Sequence, residues 1–572
     1  MTSLLVRWVY VLAFLGQVLS MPTIETRQTG LDRCKDVTFS DVIKKFGGQI
    51  ATGSPYTWQN EPTPVGLDKT KVLNVAGSLG VGRDICGLRV NVTPNIALEL
   101  YLPNPTKWNA NKRILTVGNG AFMGGTSRYD MFSRAMHDYA VMSTNTGHEE
   151  WDLSWANKEN QDTLQADWAW RAMNSSVGLA KELVKAYYQP AAGSVVRSYY
   201  SGCSTGGRQG IRQMEVNPSS FDGMLIGAPA WNVRSAMPVL SRIAWISRTY
   251  DLEDRAGTDL HQRLYKNVVD RCDTTTKGDN VPDRIVSNSD DCLAMFKNSS
   301  IETGAVWKGY DCDANQTPNT TCITLDQRRG FMLLLDTFLN PSDKTYAGDG
   351  FDITSIKDLA VFLDTGSIDG FNDEFSKYFI GKQTKWDSDE NGITLLKDTI
   401  DWDKKVRANA QGATLKNDKL RTILYTGTAD GTVSSIGTRR LFQDAGGSSN
   451  ANLAYFELPG MPHCTDTTLG AENVPWYIGG VNIASFDGSY KWWMDNKTLQ
   501  GPAYDALTAV AEWVEKGTKP STLIATAFQR GTGSRWAVSR QRPVCASPLK
   551  QVFNGDVTKQ AEIDDVNKWV CK

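Results

Sequence analysis

The string Gly202-Cys203-Ser204-Thr205-Gly206-Gly207 contains a G-x-S-x-G pattern. A serine so placed can act as a nucleophile, because small residues on either side let a strand turn sharply into a helix with the hydroxyl standing clear. The serine then needs a base for its proton, and the base needs an acid to orient it. Four histidines are available, His137, His148, His261 and His463. In sites of this kind the acid and then the histidine follow the serine along the chain, which leaves His261 and His463. His261 stands beside Gln262 and Arg263 and reads as solvated, whereas His463 lies in Gly460-Met461-Pro462-His463-Cys464, just after an apolar run. The acid is Asp430 in Thr426-Gly427-Thr428-Ala429-Asp430-Gly431, with Asp466 a weaker alternative. Taken alone, Asp430 reads as an ordinary turn aspartate before a glycine; with Ser204 and His463 it completes a set. The helix start behind Ser204 offers N–H groups and a positive dipole end to an oxyanion. Cys203 precedes the serine and Cys464 follows the histidine. If serine and histidine meet, these sulfurs come close enough for a disulfide that holds the two loops in register.

Elements able to position these groups alternate between strand-like and helix-like over residues 90–230, the pattern of a parallel sheet covered by crossover helices. Residues 96–102, 113–117 and 139–143 read as strands, the second running into Gly118-Asn119-Gly120. Residues 195–200 are β-branched and aromatic and stop at Ser201-Gly202, so they deliver the chain to the serine turn. Residues 206–216 then read as a helix ended by Asn217-Pro218, and 223–226 as the next strand. From about Trp231 to about Lys416 the alternation stops. That stretch carries Cys272, Cys292, Cys312 and Cys322 among short helices and polar loops, and reads as an inserted unit. Strands resume at 420–425 and 453–458. Leu507, Val510, Ala511 and Val514 recur at helical spacing, Gly517 sits where a helix C-cap glycine belongs, and Pro520 follows.

The chain of 572 residues is long enough for three or four domains, or for one large domain with an insertion. With 41% hydrophobic and 22% charged residues it carries no compositional sign of disorder. Its 61 basic and 63 acidic residues give a net charge of -2, which removes any electrostatic reason to expect a nucleic-acid partner. Residues 1–20 read as a secretory signal: Arg7, an apolar run from Trp8 to Leu15, then Val18-Leu19-Ser20. The run is shorter than the roughly 20 residues a spanning helix needs, so no membrane anchor is expected. Ten cysteines, an even number, suit an oxidised extracellular protein. Sequons at Asn91, Asn174, Asn298, Asn315, Asn319 and Asn496 point to several surface glycans.

The constellation resembles the tannase and feruloyl esterase family, with its cysteine-serine pair, aspartate and histidine-cysteine pair. Gly-Cys-Ser-Thr-Gly-Gly-Arg-Gln-Gly over 202–210 looks like the feruloyl esterase B form of the serine turn more than that of gallotannin hydrolases. Gly118-Asn119-Gly120, Ser143-Thr144-Asn145-Thr146-Gly147-His148 and Ala511-Glu512-Trp513-Val514-Glu515-Lys516-Gly517 are also similar. The resemblance covers nearly the whole mature chain. It implies an α/β-hydrolase fold, discontinuous over 21–230 and 417–572, with a lid domain over 231–416. It implies Ser204 as nucleophile, Asp430 as orienting acid and His463 as base, with oxyanion donors from the backbone N–H groups of Thr205 and the Gly120-Ala121 turn. Ala121 stands where the family usually has a second glycine. The resemblance also implies the pairs Cys34–Cys86, Cys272–Cys292, Cys312–Cys322 and Cys545–Cys571.

In the inserted unit, Cys272-Asp273 and then Asp279-Asn280-Val281-Pro282-Asp283-Arg284-Ile285 gather carboxylates and carbonyls in a turn, a donor set that suits Ca²⁺. The plainer reading is an acidic surface loop. The loop is similar to the family's lid calcium loop, which implies a structural ion held by side chains of Asp273, Asp279 and Asp283 and carbonyls of Val281 and Ile285. The first two aspartates stand further apart than in the family, with Lys277 between them. The expected function is hydrolysis of feruloyl or other hydroxycinnamoyl esters of plant cell-wall polysaccharide such as xylan. Gallate esters, terephthalate half-esters or another small aromatic ester are the alternatives. A non-catalytic hydrolase-like binding protein and a serine peptidase are readings from other classes. The expected partner is a small phenolic ester or feruloylated polysaccharide, and the expected state a monomer or homodimer. Trp231, Trp245, Trp307 and Tyr310 are aromatics of the inserted unit that either shape the acyl pocket or fill its core.

Overall fold

The structure, a computed structural model, describes residues 31–58, 85–253, 259–275, 279–312, 322–340, 343–363, 371–381, 393–464, 476–479, 497–530 and 536–572. The signal-like residues 1–20, Lys277, Asp466 and the sequon positions Asn315, Asn319 and Asn496 lie outside the described residues.

Ten strands form the main sheet: β1 (Gln49–Ile50), β2 (Tyr56–Trp58), β3 (Ile85–Asn91), β4 (Ala97–Pro103), β5 (Arg113–Val117), β6 (Ala140–Thr144), β7 (Arg197–Cys203) and β8 (Gly223–Gly227). After a short antiparallel pair outside it, β9 (Phe338–Leu339) with β10 (Tyr346–Gly348), it is completed by β11 (Arg421–Gly427) and β12 (Leu453–Leu458). The order is β1-β3-β4-β6-β5-β7-β8-β11-β12, with β2 also on β3. From β6 to β12 all pairings are parallel, while β4 joins β6 antiparallel and carries the antiparallel edge.

Parallel strands are covered on both faces and so read as continuous apolar runs. Successive residues feed two cores. Leu115, Val117, Tyr199, Leu225 and Ile423 face one cluster with Val510, Ala511 and Trp513 of helix Ala506–Lys516. Ile114, Tyr200, Met224, Ile226 and Leu424 face the other, with Leu179 and Leu183 of helix Ala172–Tyr188 and Ile211 and Met214 of helix Thr205–Val216. Helix Ala506–Lys516 is capped by Asp505 at its start, and Gly517 closes it with φ 79°.

Strand β7 runs to Cys203, beyond the stop expected at Ser201-Gly202. Ser201 stays in register with Val117, Gly202 with Ile226 and Cys203 with Gly227. The absent Cβ of Gly202 is what admits the next helix: a methyl there would meet the Gly206 carbonyl carbon at 2.7 Å.

Between β8 and β11 the chain leaves the main sheet and builds an apolar core of its own from Ile243, Leu264, Val268, Trp307, Phe331 and Leu359. Trp307 is fully buried there, Trp245 and Tyr310 pack against its edge, and Trp231 turns toward the cavity described below. His261, expected in solvent, is buried in this core at the start of helix Leu260–Cys272. Its Nε2 is bonded to Leu252 O at 2.7 Å. The apolar neighbours one turn on, Leu264 and Val268, draw that helix face inward despite the adjacent Gln262 and Arg263. Beyond β12, β13 (Trp476–Tyr477), β14 (Thr522–Arg530) and β15 (Trp536–Cys545) form an antiparallel ribbon. Among the described residues no helix is long and apolar enough to cross a membrane.

Candidate active site

Ser204 stands between β7 and helix Thr205–Val216 with φ 60° and ψ −129°, a conformation a non-glycine residue rarely adopts. Backbone bonds fix it on both sides: Ser204 N–H donates to Gly227 O at 3.0 Å, and Ala230 N–H donates to Ser204 O at 3.0 Å. Gly206 makes the turn possible, since a Cβ there would meet Asn119 O at 2.9 Å. Ser204 Oγ makes no hydrogen bond among the described residues; such bonds are often long before substrate enters.

The acid and base candidates come from the loops after β11 and β12. His463 Nδ1 lies 2.8 Å from Asp430 Oδ2. The other carboxylate oxygen of Asp430 accepts the N–H groups of Thr432 at 2.9 Å and Val433 at 2.8 Å, so the whole carboxylate is satisfied although fully buried. Burial opposes the charged imidazolium, but Asp430 beside it, and then Asp358, outweigh that and raise the His463 pKa above its ordinary value. The two loops also bond to each other, Ala429 N–H to Met461 O at 3.0 Å. Cys203 and Cys464 form a disulfide with Cα atoms 5.8 Å apart, which brings the residues next to them, Ser204 and His463, to one place. The other pairs are Cys34–Cys86, Cys272–Cys292, Cys312–Cys322 and Cys545–Cys571.

A cavity of about 360 Å³ opens on Ser204. Thr205 and Ala121 line it with the serine, so the helix start and the turn after β5 face the same space. Ala121 holds φ 44°, the left-handed region its missing glycine would favour. Gly120 is one residue back, its carbonyl accepting Met123 N–H at 3.2 Å. This turn is braced from behind: Asn119 N–H donates to Gln209, and Phe122 O accepts both His148 Nε2 and Trp155 Nε1 at 3.0 Å. Burial lowers the His148 pKa to about 4, so it is neutral at ordinary pH and Nε2 is the donor to that carbonyl. The rest of the wall is largely apolar, with Phe122, Trp231, Met237, Leu240, Phe351 and Phe371. A polar patch is made by Asn232 and by Tyr346, whose hydroxyl donates to Asp349 at 2.6 Å. These wall residues come from widely separated segments and, Trp231 apart, carried no signal in the sequence.

In the acidic loop each carboxylate has one oxygen tied to the loop's own backbone: Asp273 to Arg284 N–H, Asp279 to Val281 N–H and Asp283 to Ile285 N–H, each at 3.0 Å. Of the other oxygens, Asp273 Oδ1 and Asp279 Oδ2 are buried without a hydrogen-bond partner among the described residues, whereas Asp283 Oδ2 meets the Arg542 guanidinium and lies 3.6 Å from Arg540 Nη1. Asp273 and Asp283 are buried, so the loop is not a solvated acidic surface. Burial, with Asp279 close by, pushes Asp273 up to about 6. Arg542, stacked on Trp569 and itself lowered to about 10 by burial, is in ion contact with Asp283. Orphaned carboxylate oxygens are the donors a hard cation takes, and in chemistry this set fits Ca²⁺. As the side chains stand, no group of three His, Cys, Asp or Glu among the described residues is in metal-holding geometry. Of the sequons, Asn91 and Asn298 are exposed; Asn174 is half-buried in a helix and accepts from Gln213.

A parallel sheet with a serine turn, an aspartate-histidine pair at its strand ends and an inserted cap defines an α/β-hydrolase of the ester-cleaving class. The Tannase and feruloyl esterase family profile matches residues 83–360 and 381–571, and the chain belongs to that family of carboxylic ester hydrolases. It is 24% identical over 515 residues to feruloyl esterase B of Aspergillus niger, covering 88% of this chain and 90% of that one. Likewise it is 24% identical over 578 residues to a probable feruloyl esterase B-1 of Aspergillus flavus, with 96% of each chain covered. Among solved structures, feruloyl esterase B from Aspergillus oryzae superposes with TM-score 0.69 at 22% identity, over 93% of this chain and 100% of that one. Tannin acyl hydrolase from Aspergillus niger superposes with TM-score 0.68 at 16% identity, over 96% of each. The fold fits both kinds of esterase equally.

Proposed function

We propose that the chain is a serine esterase of hydroxycinnamoyl esters, feruloyl esters of plant cell-wall polysaccharide foremost. The observation that carries this reading is the meeting of Ser204, Thr205 and Ala121 on one aromatic-walled cavity, with the His463–Asp430 pair tethered to the serine by the Cys203–Cys464 bond. Ser204 Oγ attacks the ester carbonyl carbon while His463 Nε2 takes its proton and Asp430 holds Nδ1–H. The N–H groups of Thr205 and Ala121 receive the oxyanion. Collapse expels the alcohol, which takes the proton back from His463. Water, deprotonated by His463, then releases the acid from the acyl-serine.

The acyl preference follows from the walls. Rings of Phe122, Trp231, Phe351 and Phe371 suit an aromatic acyl group, and Asn232, Ser235, Tyr346, Asp349, Thr432 and Ser434 are the polar side chains on the same wall. A galloyl ring must find partners among them for three hydroxyls, and each left unmet costs about 1–3 kcal/mol. A ferulic ring, with one hydroxyl and a methoxyl, fits with less loss. The test is acid release from methyl ferulate, methyl caffeate and methyl gallate by the protein and its Ser204→Ala variant. We expect ferulate or caffeate to lead gallate, and the variant to lose about 10⁴-fold or more in kcat. Full activity in the variant would remove Ser204 as nucleophile, and gallate in the lead would make the enzyme a tannase.

The same reading places the protein outside the cell, supported by its five disulfides and the exposed sequons Asn91 and Asn298. It also assigns Asp273, Asp279 and Asp283, with carbonyls of Val281 and Ile285, to a structural calcium ion. Calcium there supplies positive charge to a buried acidic turn and takes no part in the chemistry at Ser204.

A further inference from the structure

A second buried carboxylate stands behind the Asp430–His463 pair, and it comes from the inserted segment. Asp358 is the third residue of helix Ile356–Leu363 and is 8% exposed. Its Oδ2 accepts Gly431 N–H at 2.8 Å, one residue past Asp430. Its charge also acts on His463 in the base loop. One side chain of the inserted segment therefore grips the loop of the acid and adds its charge at the base. The approach is close enough to require glycine at 431, where a Cβ would meet Leu359 N at 2.1 Å. A weaker stitch runs alongside: Thr354 Oγ1 lies 3.5 Å from Thr428 Oγ1, which accepts Gly460 N–H at 3.1 Å.

We propose that Asp358 is a positioning residue for ester hydrolysis: through it the inserted segment holds the loop of the acid in place, and its charge joins that of Asp430 in favouring the imidazolium formed during attack. The proposal rests on the reading of Ser204, His463 and Asp430 as the catalytic set. An apolar side chain would fill this place at lower desolvation cost, and only a hydrogen-bond acceptor meets the Gly431 N–H. The groups that face Asp358 are Asp430 and His463. Lys357 on its own helix lies over the Tyr265 ring, and the neighbouring helices Val233–Thr249 and Leu260–Cys272 bring apolar Ile243, Ile246, Leu260, Leu264 and Val268 to the shared core. Burial, and then Asp430, push Asp358 up to about 6.

Two variants in the full chain test this, with kcat and KM for methyl ferulate measured from pH 5 to 9. Asp358→Asn keeps an acceptor for the Gly431 N–H but removes the charge. His463 then loses a stabiliser of its charged form, and the acid limb of kcat/KM moves to lower pH by about half a unit. Asp358→Ala removes the acceptor as well, and kcat falls about tenfold or more with KM nearly unchanged. A purely structural role would not move the acid limb of the Asn variant. An unmoved limb, or wild-type kcat in a folded Asp358→Ala, overturns the proposal; if Asp358→Ala does not fold, the limb of Asp358→Asn decides alone. Ser204→Ala, measured beside them, keeps the two readings apart: hydrolysis persisting there removes the catalytic set, while its loss with unmoved Asp358 variants removes only this inference.

Discussion

Asp430 and Asp283 are buried carboxylates in tight turns near a disulfide, yet their surroundings differ. Asp430 has every oxygen engaged, by His463 Nδ1 on one side and two backbone N–H groups on the other. Asp283 and its neighbours Asp273 and Asp279 each spend one oxygen on their own backbone; the second oxygen of Asp283 meets the Arg542 guanidinium, and those of Asp273 and Asp279 have no hydrogen bond among the described residues. A buried charge is tolerated when its partners are all present. The Asp430 turn is thus complete within the chain and can lend its charge to a moving proton. The acidic loop gathers three carboxylates against Arg542 and Arg540, and two of its oxygens stay without a hydrogen bond among the described residues, which suits the cation proposed above.

Amide replacement in the two turns breaks this comparison most sharply. Asp430→Asn should lower kcat by about 10⁴-fold, because the amide no longer holds the imidazole tautomer the serine needs. Its melting temperature should change little. Asp273→Asn should do the reverse, leaving kcat within a few fold while the protein melts earlier. Steady-state kinetics and thermal melts on the same two preparations decide it. Equal losses of kcat in both would erase the distinction.

The next largest effect belongs to the bond that ties the serine loop to the base loop. Cys203 and Cys464 close 261 residues of chain, worth on the order of 5 kcal/mol in the chain-entropy account. Cys203→Ser with Cys464→Ser should therefore unfold at lower denaturant and lose kcat together, since the histidine loop is then held by hydrogen bonds alone. Cys272→Ser with Cys292→Ser, which opens a span of 20 residues, should weaken the fold less and leave kcat near normal. Urea unfolding with activity on the survivors measures both.

Much of the catalytic turn was legible because its determinants are local. A β-branched strand, a Gly/Ser turn and a helix lie within about twenty residues, and Asp430 and His463 each follow the end of a recognisable strand. The parallel strands read correctly because both faces are buried and the runs are continuously apolar. Asp358 was not legible: it sits in an ordinary helix and gains its meaning from Gly431, 73 residues on. His261 misled for a related reason, since its polar neighbours in sequence point elsewhere while helical spacing turns the ring inward. Strand β3 and the ribbon β14–β15 gave no alternation strong enough to stand out beside the parallel core, whereas β4 is the strand read over 96–102. The acidic loop showed its donor types in sequence but not their burial, which is what makes a cation matter.

Calcium removal is the smallest effect and the finest test of the contrast. Chelation should lower the melting temperature by about 2–3 °C, the size expected for a chain of this length when a ligand present at about 100 times its Kd contributes near 3 kcal/mol. Added Ca²⁺ should restore it. The direction is set by charge: three carboxylates share one buried space with Arg542 and Arg540, and burial raises both Asp273 and Asp279 toward their protonated forms. Asp279→Asn should melt early and no longer respond to either treatment. At a temperature where the chelated protein is still folded, kcat on methyl ferulate should be unchanged, because nothing in this loop lines the cavity at Ser204. A fall in kcat without any change in melting would mean that the ion reaches the catalytic loops. The route for that is short, since Ile285 packs against Gly460 in the loop that carries His463.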